Sequence, residues 1–193
     1  AMLLTLGAFI NTSLFAQDYK IAETDQMSCY DEDGNAIDFP VVGDSLYGQD
    51  AQYTGFEIAL VDNGDGTVSD EVTGLMWQKN MGEKLTFEDA KQKAGECRTG
   101  GYTDWRIPSI KELYSLILFT GMSCGEQAGK MYIDTKYFDQ SFGDVTRGER
   151  EIDAQTWSST EYVGKTMRND DTIFGVNFVD GRIKGYPKFD PRS

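Results

Sequence analysis

Residues 100–117, with the sequence GGYTDWRIPSIKELYSLI, join a glycine turn to a helix whose start can be read directly. Ser109 and Glu112 form a capping box, in which each side chain accepts a hydrogen bond from the other residue's backbone N–H. Four apolar side chains then recur at helical spacing and share one face: Ile110, Leu113, Leu116 and Ile117. The stretch predicts a helix that begins after Ser109, packs one face against a core and ends at Gly121.

A second helix is predicted immediately upstream. Thr86 and Asp89 approximate the same capping box. This helix runs to about Cys97, and the two glycines at 100–101 terminate it.

Short apolar stretches separated by glycine turns lie on both sides of the helices, as expected for antiparallel strands. Upstream, hairpins and strands are predicted at 28–39, 56–60, 67–68 and 75–77. Downstream, strands are predicted at 156–159, 173–179 and 182–186, with charged loops at 143–154 and 164–171. This order predicts the α+β fold class.

The chain divides into three segments. Residues 17–52 form an acidic arm with one hairpin, and residues 53–190 form the folded domain. Residues 1–16 are apolar and uncharged, which is typical of a secretory signal. Apolar residues in this segment also alternate with small or polar ones, as in a strand buried on one face: Leu4, Leu6, Ile10 and Leu14. Both interpretations stay open, a signal remnant or a retained strand or helix through which copies assemble.

The charge and the absence of histidine restrict the function. The chain carries 32 acidic and 18 basic residues, a formal net charge of −14, and no histidine. Nucleic-acid binding requires basic side chains that neutralise phosphates, so we expect no nucleic-acid partner. Without histidine, Ser-His-Asp and Cys-His catalysis and the usual general base at neutral pH are excluded. Chemistry by a pair of carboxylates, as in a glycoside hydrolase, stays open as a third alternative. We expect no enzymatic activity.

One acidic turn is a candidate metal site. Its oxygen-bearing side chains are Asp62, Asn63, Asp65 and Asp70. When Gly66 takes the glycine position of an EF-hand loop, Val61 falls at the first ligand position, so the register fails. We expect a hairpin turn and no cofactor, with calcium as the one candidate ion.

The charged loops are the candidate ligand-binding region, because binding residues concentrate on loops held by a rigid scaffold. The candidate residues combine both charges with an aromatic ring: Arg147, Arg150, Tyr162, Arg168 and Asp170. Such a surface suits a polar glycan or protein ligand.

Other residues are predicted to stabilise the fold. The large aromatic side chains expected to anchor the core are Trp77, Trp105 and Trp157. Arg106 is expected to hold the carboxylate of Asp104 or Glu112 bidentately. Export favours disulfides, and the preferred pair is Cys97 with Cys124, which leaves one cysteine over.

A series of separated motifs occurs in order, at 62–68 (DNGDGTV), 73–78 (TGLMWQ), 100–108 (GGYTDWRIP), 111–113 (KEL), 157–160 (WSST) and 175–182 (GVNFVDGR). Over about residues 47–187 this series resembles the bacterial family named for the C-terminal domain of the Legionella collagen-like adhesin. The resemblance implies a C-type-lectin-like fold, with two helices flanking a twisted antiparallel sheet and long loops. It also implies a secreted, adhesive or surface role without a demonstrated enzymatic activity.

These observations predict a secreted or surface-displayed lectin-like domain that binds or adheres and does not catalyse. The alternative is a structural subunit of a surface fibre that polymerises through residues 1–16. The expected partners are a glycan or protein ligand and, for the alternative, further copies of this chain.

Overall fold

The computed structural model describes residues 20–123 and 129–188. Within them lie eight strands and two α-helices, which is the predicted α+β class. The strands are β1 (Cys29–Tyr30), β2 (Ala36–Ile37), β3 (Leu60–Asp62), β4 (Thr67–Asp70), β5 (Leu75–Gln78), β6 (Gln155–Glu161), β7 (Thr172–Asn177) and β8 (Arg182–Pro187). The helices are α1 (Phe87–Glu96) and α2 (Ile110–Tyr114). The strands form three small antiparallel sheets, whereas the resemblance implies one.

Two predicted features lie outside the described residues. One is the apolar segment 1–16, including its candidate assembly residues Leu4, Leu6, Ile10 and Leu14. The other is Cys124, so its disulfide with Cys97 stays a prediction. Among the described residues, neither helix has the length and apolar character needed to cross a lipid bilayer.

The first three-stranded sheet, in the order β3-β4-β5, contains the predicted turn at 63–66. The two glycines of this turn have φ angles of 77° and 87°, a region that other residues rarely adopt. The prediction of a strand at 56–60 is wrong, because the strand covers Leu60–Asp62. The turn fixes a register in which Leu60 pairs with Asp70, the last residue of β4, so earlier residues have no partner in that strand.

Both helices begin at their predicted caps. The Thr86 side chain accepts a hydrogen bond from the backbone N–H of Asp89 at the start of α1. Ser109 and Glu112 form the complete capping box at the start of α2. These caps satisfy N–H groups that have no partner inside the helix.

Helix α2 is shorter than predicted, since it ends at Tyr114 and not near Gly121. The next N–H groups, of Leu116 and Ile117, bond to carbonyls three residues earlier, so the chain tightens out of the α-helix. Both side chains stay buried nevertheless. The apolar pattern therefore predicted burial correctly and helix length incorrectly.

The second three-stranded sheet has the order β6-β7-β8, and α2 packs against β6 and β7. The predicted strand 173–179 ends at Asn177, because the Asn177 side chain accepts the backbone N–H of Val179 at 2.9 Å and turns the chain towards β8. The core joins this sheet to α2, β4 and the loop 131–138. Its most buried members include Val68, Leu113, Ile117, Ile133, Phe138, Val176 and Phe178.

Candidate ligand-binding cleft

A cleft of about 2620 Å³ runs between helix α1, strand β5, the loop 138–142 and the sheet β6-β7-β8. We call it the tryptophan cleft, because Trp77, Trp105 and Trp157 all line it. Pockets for small molecules usually measure about 300–1,000 Å³. The tryptophan cleft is therefore large enough for a polymer or a protein segment.

The three tryptophans predicted to anchor the core also line the cleft. Each is only partly buried. Trp77 packs against the core from its edge. The Trp105 indole N–H donates to the Thr99 carbonyl at 3.1 Å, and its ring meets Tyr102 edge to face at 6.4 Å. The rings thus combine structural contacts with a position in the cleft wall.

Trp157 holds together the part of the cleft formed by α1 and the second sheet. Its ring meets Phe87 at 5.7 Å and Tyr186 at 5.9 Å, both edge to face. Its indole N–H donates to the Leu85 carbonyl at 3.0 Å. Gly175 lies between the two strands that carry Trp157 and Tyr186, and an added Cβ there would lie 3.2 Å from the Tyr186 ring. The aromatic cluster therefore depends on glycine at this position.

Arg106 and Glu112 form a bidentate ion pair at the mouth of the cleft. The two guanidinium nitrogens lie 2.9 and 2.6 Å from the two carboxylate oxygens. Hydrogen bonds from Arg106 lower the pKa of Glu112 to about 2, although the partial burial of Glu112 acts to raise this pKa. Of the two partners expected for Arg106, the structure selects Glu112 and leaves Asp104 exposed.

The charge of the cleft differs from that of the whole chain. Seven basic and six acidic side chains line it, so its formal charge is about +1, whereas the chain carries −14. Six of the seven basic side chains form ion pairs: Lys84–Glu149, Lys93–Glu83, Arg106–Glu112, Arg150–Asp153, Lys165–Asp171 and Lys188–Glu161. Three of these pairs are made with acidic residues of the cleft itself and three with acidic residues beside it, so most of the basic charge of the cleft is already paired.

The structure brings four of the five predicted ligand-binding residues into the tryptophan cleft. They are Arg150, Tyr162, Arg168 and Asp170. The fifth, Arg147, lies outside it, exposed and paired with Asp144 at 3.4 Å. The two charged loops therefore contribute to one surface, although they are distant in sequence.

The side chains of the acidic turn are hydrogen-bonded within the hairpin. Asp62 accepts the N–H of Gly64 at 2.9 Å, and Asp65 accepts the N–H of Thr67 at 3.0 Å. Asp70 accepts from Val72 and Thr73, while Asn63 donates to Thr67 and Ser69. In the described part of the chain, no three acidic or cysteine side chains are grouped to hold a metal ion. Calcium binding stays a prediction.

The two described cysteines have different surroundings. Cys29 is buried, and Cys97 lines the cleft with its sulfur 3.3 Å from the Thr99 hydroxyl and 3.5 Å from the Gln78 side-chain oxygen. Neither forms a disulfide within residues 20–123 and 129–188.

Among the cleft side chains that the sequence did not predict are Gln140 and Tyr186. The strand pattern at 182–186 places Tyr186 on the same face as Lys184, but it does not show that this face meets Trp157. Gln140 stands in a loop without periodicity, so no sequence signal could have found it.

The comparisons with known proteins identify a family. No curated protein and no solved structure is significantly similar to the chain. The family model described as the Lcl C-terminal domain matches residues 66–193, about two thirds of the sequence. The match covers strands β4 to β8, both helices and the tryptophan cleft. The chain therefore belongs to the Lcl C-terminal domain family.

Proposed function

We propose that this chain is a binding or adhesion domain with a C-type-lectin-like fold, secreted or displayed at the bacterial surface, and that its ligand occupies the tryptophan cleft. The cleft carries the proposal, because it gathers all three tryptophans and seven of the 18 basic side chains of an acidic protein. Membership in the Lcl C-terminal domain family supports a bacterial surface protein. The packing of α2, and of Phe87 at the start of α1, against the second sheet supports the lectin-like fold.

The electrostatics of the cleft give three of its acidic side chains a structural role and not that of a general acid. Hydrogen bonds from Lys93 and Lys84 lower the pKa values of Glu83 and Glu149, and Arg150 does the same for the pKa of Asp153. A general acid at neutral pH needs the opposite shift, which keeps its proton on. These carboxylates are held ionised as structural partners of the basic side chains.

Two exposed tyrosines allow a matched test of the site. Tyr162 lines the cleft and is 42% exposed, whereas Tyr114 lies outside it and is 41% exposed. Each packs edge to face on one phenylalanine with ring centres 5.9 Å apart. Tyr162→Ala and Tyr114→Ala therefore remove similar contacts, but only the first changes the cleft.

The experiment measures binding of the full chain to a glycan array, a panel of extracellular proteins and intact cells, with and without calcium. We expect binding that Tyr162→Ala weakens and Tyr114→Ala preserves. Equal loss in both variants would place the ligand elsewhere, and no binding to any of these surfaces would end the adhesion proposal.

The second candidate function is that of an assembling subunit, favoured by the acidic arm. Nineteen large apolar side chains are exposed in the described residues, and nine of them lie within 20–56, seven in the arm and two just after it. They are Ile21, Met27, Tyr30, Phe39, Val41, Val42, Tyr47, Tyr53 and Phe56. Apolar surface concentrated in this way is typical of interaction sites. We propose that the arm and residues 1–16 mediate contacts between copies of the chain.

Substitutions in the full chain test assembly. Replacing Leu6, Ile10 and Leu14 by Asp should convert an assembled species to monomers, as measured by size-exclusion chromatography and negative-stain microscopy. Val163→Asp is the control, because Val163 is fully exposed outside the arm. A monomeric unsubstituted chain would contradict the assembly function and leave the binding function intact.

A further inference from the structure

Three buried side-chain atoms in the described residues have no hydrogen-bond partner, and all three belong to residues that line the tryptophan cleft. They are the indole nitrogen of Trp77, the amide oxygen of Gln140 and the hydroxyl of Tyr186. Buried polar atoms are almost always hydrogen-bonded, because leaving one unpaired is unfavourable. Their coincidence in one cleft indicates a ligand that supplies the missing partners.

The chemistry of these atoms restricts the ligand. The indole N–H can only donate, and the amide oxygen can only accept. Burial raises the pKa of Tyr186 to about 12, so its hydroxyl keeps its proton at neutral pH. Gln155 lies near this hydroxyl, but the two side chains make no hydrogen bond of normal geometry. Ligand hydroxyl groups satisfy all three atoms, since each hydroxyl both donates and accepts.

The ion pairs of the cleft favour an uncharged ligand. Beyond Arg168, the one basic side chain of the cleft without an ion pair among the described residues, a polyanion would have to displace Glu149, Asp153 or another carboxylate from the basic partner it already holds. Such an exchange yields little free energy, and the net charge of −14 opposes the approach of a polyanion. A neutral ligand leaves the six ion pairs in place.

The size of the cleft and the edge of the sheet favour a polysaccharide over a peptide. The volume of about 2620 Å³ is more than twice that of a usual small-molecule pocket, so a single sugar would leave most of it empty. A peptide commonly binds by adding a strand to a sheet edge. Strand β8, one of the two edge strands of this sheet, carries Lys184 and Pro187, and both residue types oppose strand addition at that edge.

We infer that the tryptophan cleft binds a neutral, hydroxyl-rich polysaccharide without calcium, through hydrogen bonds to Trp77, Gln140 and Tyr186 and contacts with the aromatic rings around them. This inference rests on the proposed binding function and names the ligand class of the same site. A pyranose ring suits such a wall, because its C–H face packs on aromatic rings while its hydroxyls reach the polar atoms.

Tyr186→Phe gives the sharpest test, because it removes only the unpaired hydroxyl. The free protein should unfold at a temperature a few degrees higher, since a buried group without a partner is removed. Affinity for the polysaccharide should fall about three- to tenfold, as expected for the loss of one hydrogen bond. Tyr137→Phe is the control, because Tyr137 is partly buried outside the cleft and should leave binding unchanged.

The probes are four immobilised neutral polysaccharides (dextran, a mannan, a galactan and a starch hydrolysate), dextran sulfate, and a neutral unstructured peptide. Binding is measured in EDTA at about 0.05 and about 0.5 M sodium chloride, a range over which screening of charges changes strongly. We expect binding to at least one neutral polysaccharide, with less than about a twofold change between the two salt concentrations.

Binding to dextran sulfate or to the peptide alone would overturn the inference and preserve the binding function. Adhesion to cells without binding to any neutral polysaccharide would likewise overturn the inference and preserve the binding function. Unchanged affinity in Tyr186→Phe would overturn the assignment of the hydroxyl. The absence of both adhesion and binding to every probe would remove the proposed function itself.

Discussion

Glu112 has two structural roles at the residue scale. Its carboxylate accepts the backbone N–H of Ser109 at 2.7 Å, which caps α2, and it also holds the guanidinium of Arg106. The same side chain thus fixes the start of the helix and the loop that precedes it. Trp105 and Pro108 flank this pair in the wall of the cleft, so the geometry of Glu112 affects the candidate site.

We expect Glu112→Gln to destabilise the protein by about 1–2 kcal/mol, because the charged bidentate pair is lost while a weaker cap remains. The pKa of Glu112 is lowered from 4.5 to about 2 in the folded chain. Its contribution is therefore present above about pH 4.5 and is lost as the pH falls towards 2. Urea denaturation at several pH values measures the effect.

Glu32→Gln is the matched control. Glu32 is exposed, and within the described residues it makes no hydrogen bond or ion pair. This control should change the free energy of unfolding by less than about 0.5 kcal/mol. A Glu112→Gln variant that loses stability equally at pH 7 and pH 2 would contradict the role assigned to its ionised carboxylate.

At the scale of elements, strand β7 joins the core to the cleft. Ile173 and Val176 are fully buried, and Gly175 leaves the space into which the Tyr186 ring packs. A Cβ at position 175 would lie 2.7 Å from the Thr156 carbonyl oxygen of β6, closer than real Cβ atoms come to backbone. The close approach of β6 and β7 here keeps Trp157 beside Tyr186.

Two glycine substitutions should change the free energy of unfolding in opposite directions. Gly175→Ala should destabilise by about 1–3 kcal/mol, since the strands must separate to admit the methyl group. Gly95→Ala should stabilise by about 0.5–1 kcal/mol, because Gly95 lies in α1 and an added Cβ meets nothing within 4 Å. Thermal and urea unfolding measure both. A change of the same sign in both variants would contradict the close packing described at Gly175.

At the scale of the whole molecule, the described chain has a packed part and an open part. The core cluster is drawn from residues 68–179, which lie inside the family match. Among the described residues of the arm, 20–52, only Cys29 and Pro40 are buried apolar residues, whereas seven large apolar side chains are exposed. Cooperative stability should therefore reside in the family domain, and the arm should open at lower free energy.

Limited chymotrypsin digestion of the full chain tests this division. We expect the first cleavages at exposed aromatic residues of the arm, such as Tyr30 and Tyr47, while Phe138 and Phe178 remain protected. Mass spectrometry of the products identifies the sites. Early cleavage within 129–188 would contradict the division. An arm that is protected only at high protein concentration would support assembly through it.

The family match and the helix starts were accessible from the sequence, because both depend on local patterns. The caps at Thr86 and Ser109 join residues three positions apart, so their hydrogen bonds follow from the residue types. The length of α2 was not accessible. The Leu118 N–H bonds to the Tyr132 carbonyl at 3.0 Å, a tertiary contact that competes with the helix and that no local pattern encodes.

For this protein, the sequence by itself determined the α+β class, the turns, the caps and a chemistry without histidine, since each depends on residue type or on neighbours a few positions apart. Only the tertiary structure decided that the three tryptophans share a cleft, that Lys84 meets Glu149 and that Trp157 meets Tyr186. The last two pairs are separated by 65 and 29 positions, and their proximity is set by how the sheets and helices pack. Packing sums many weak contacts over the whole chain, so no single stretch of sequence specifies it.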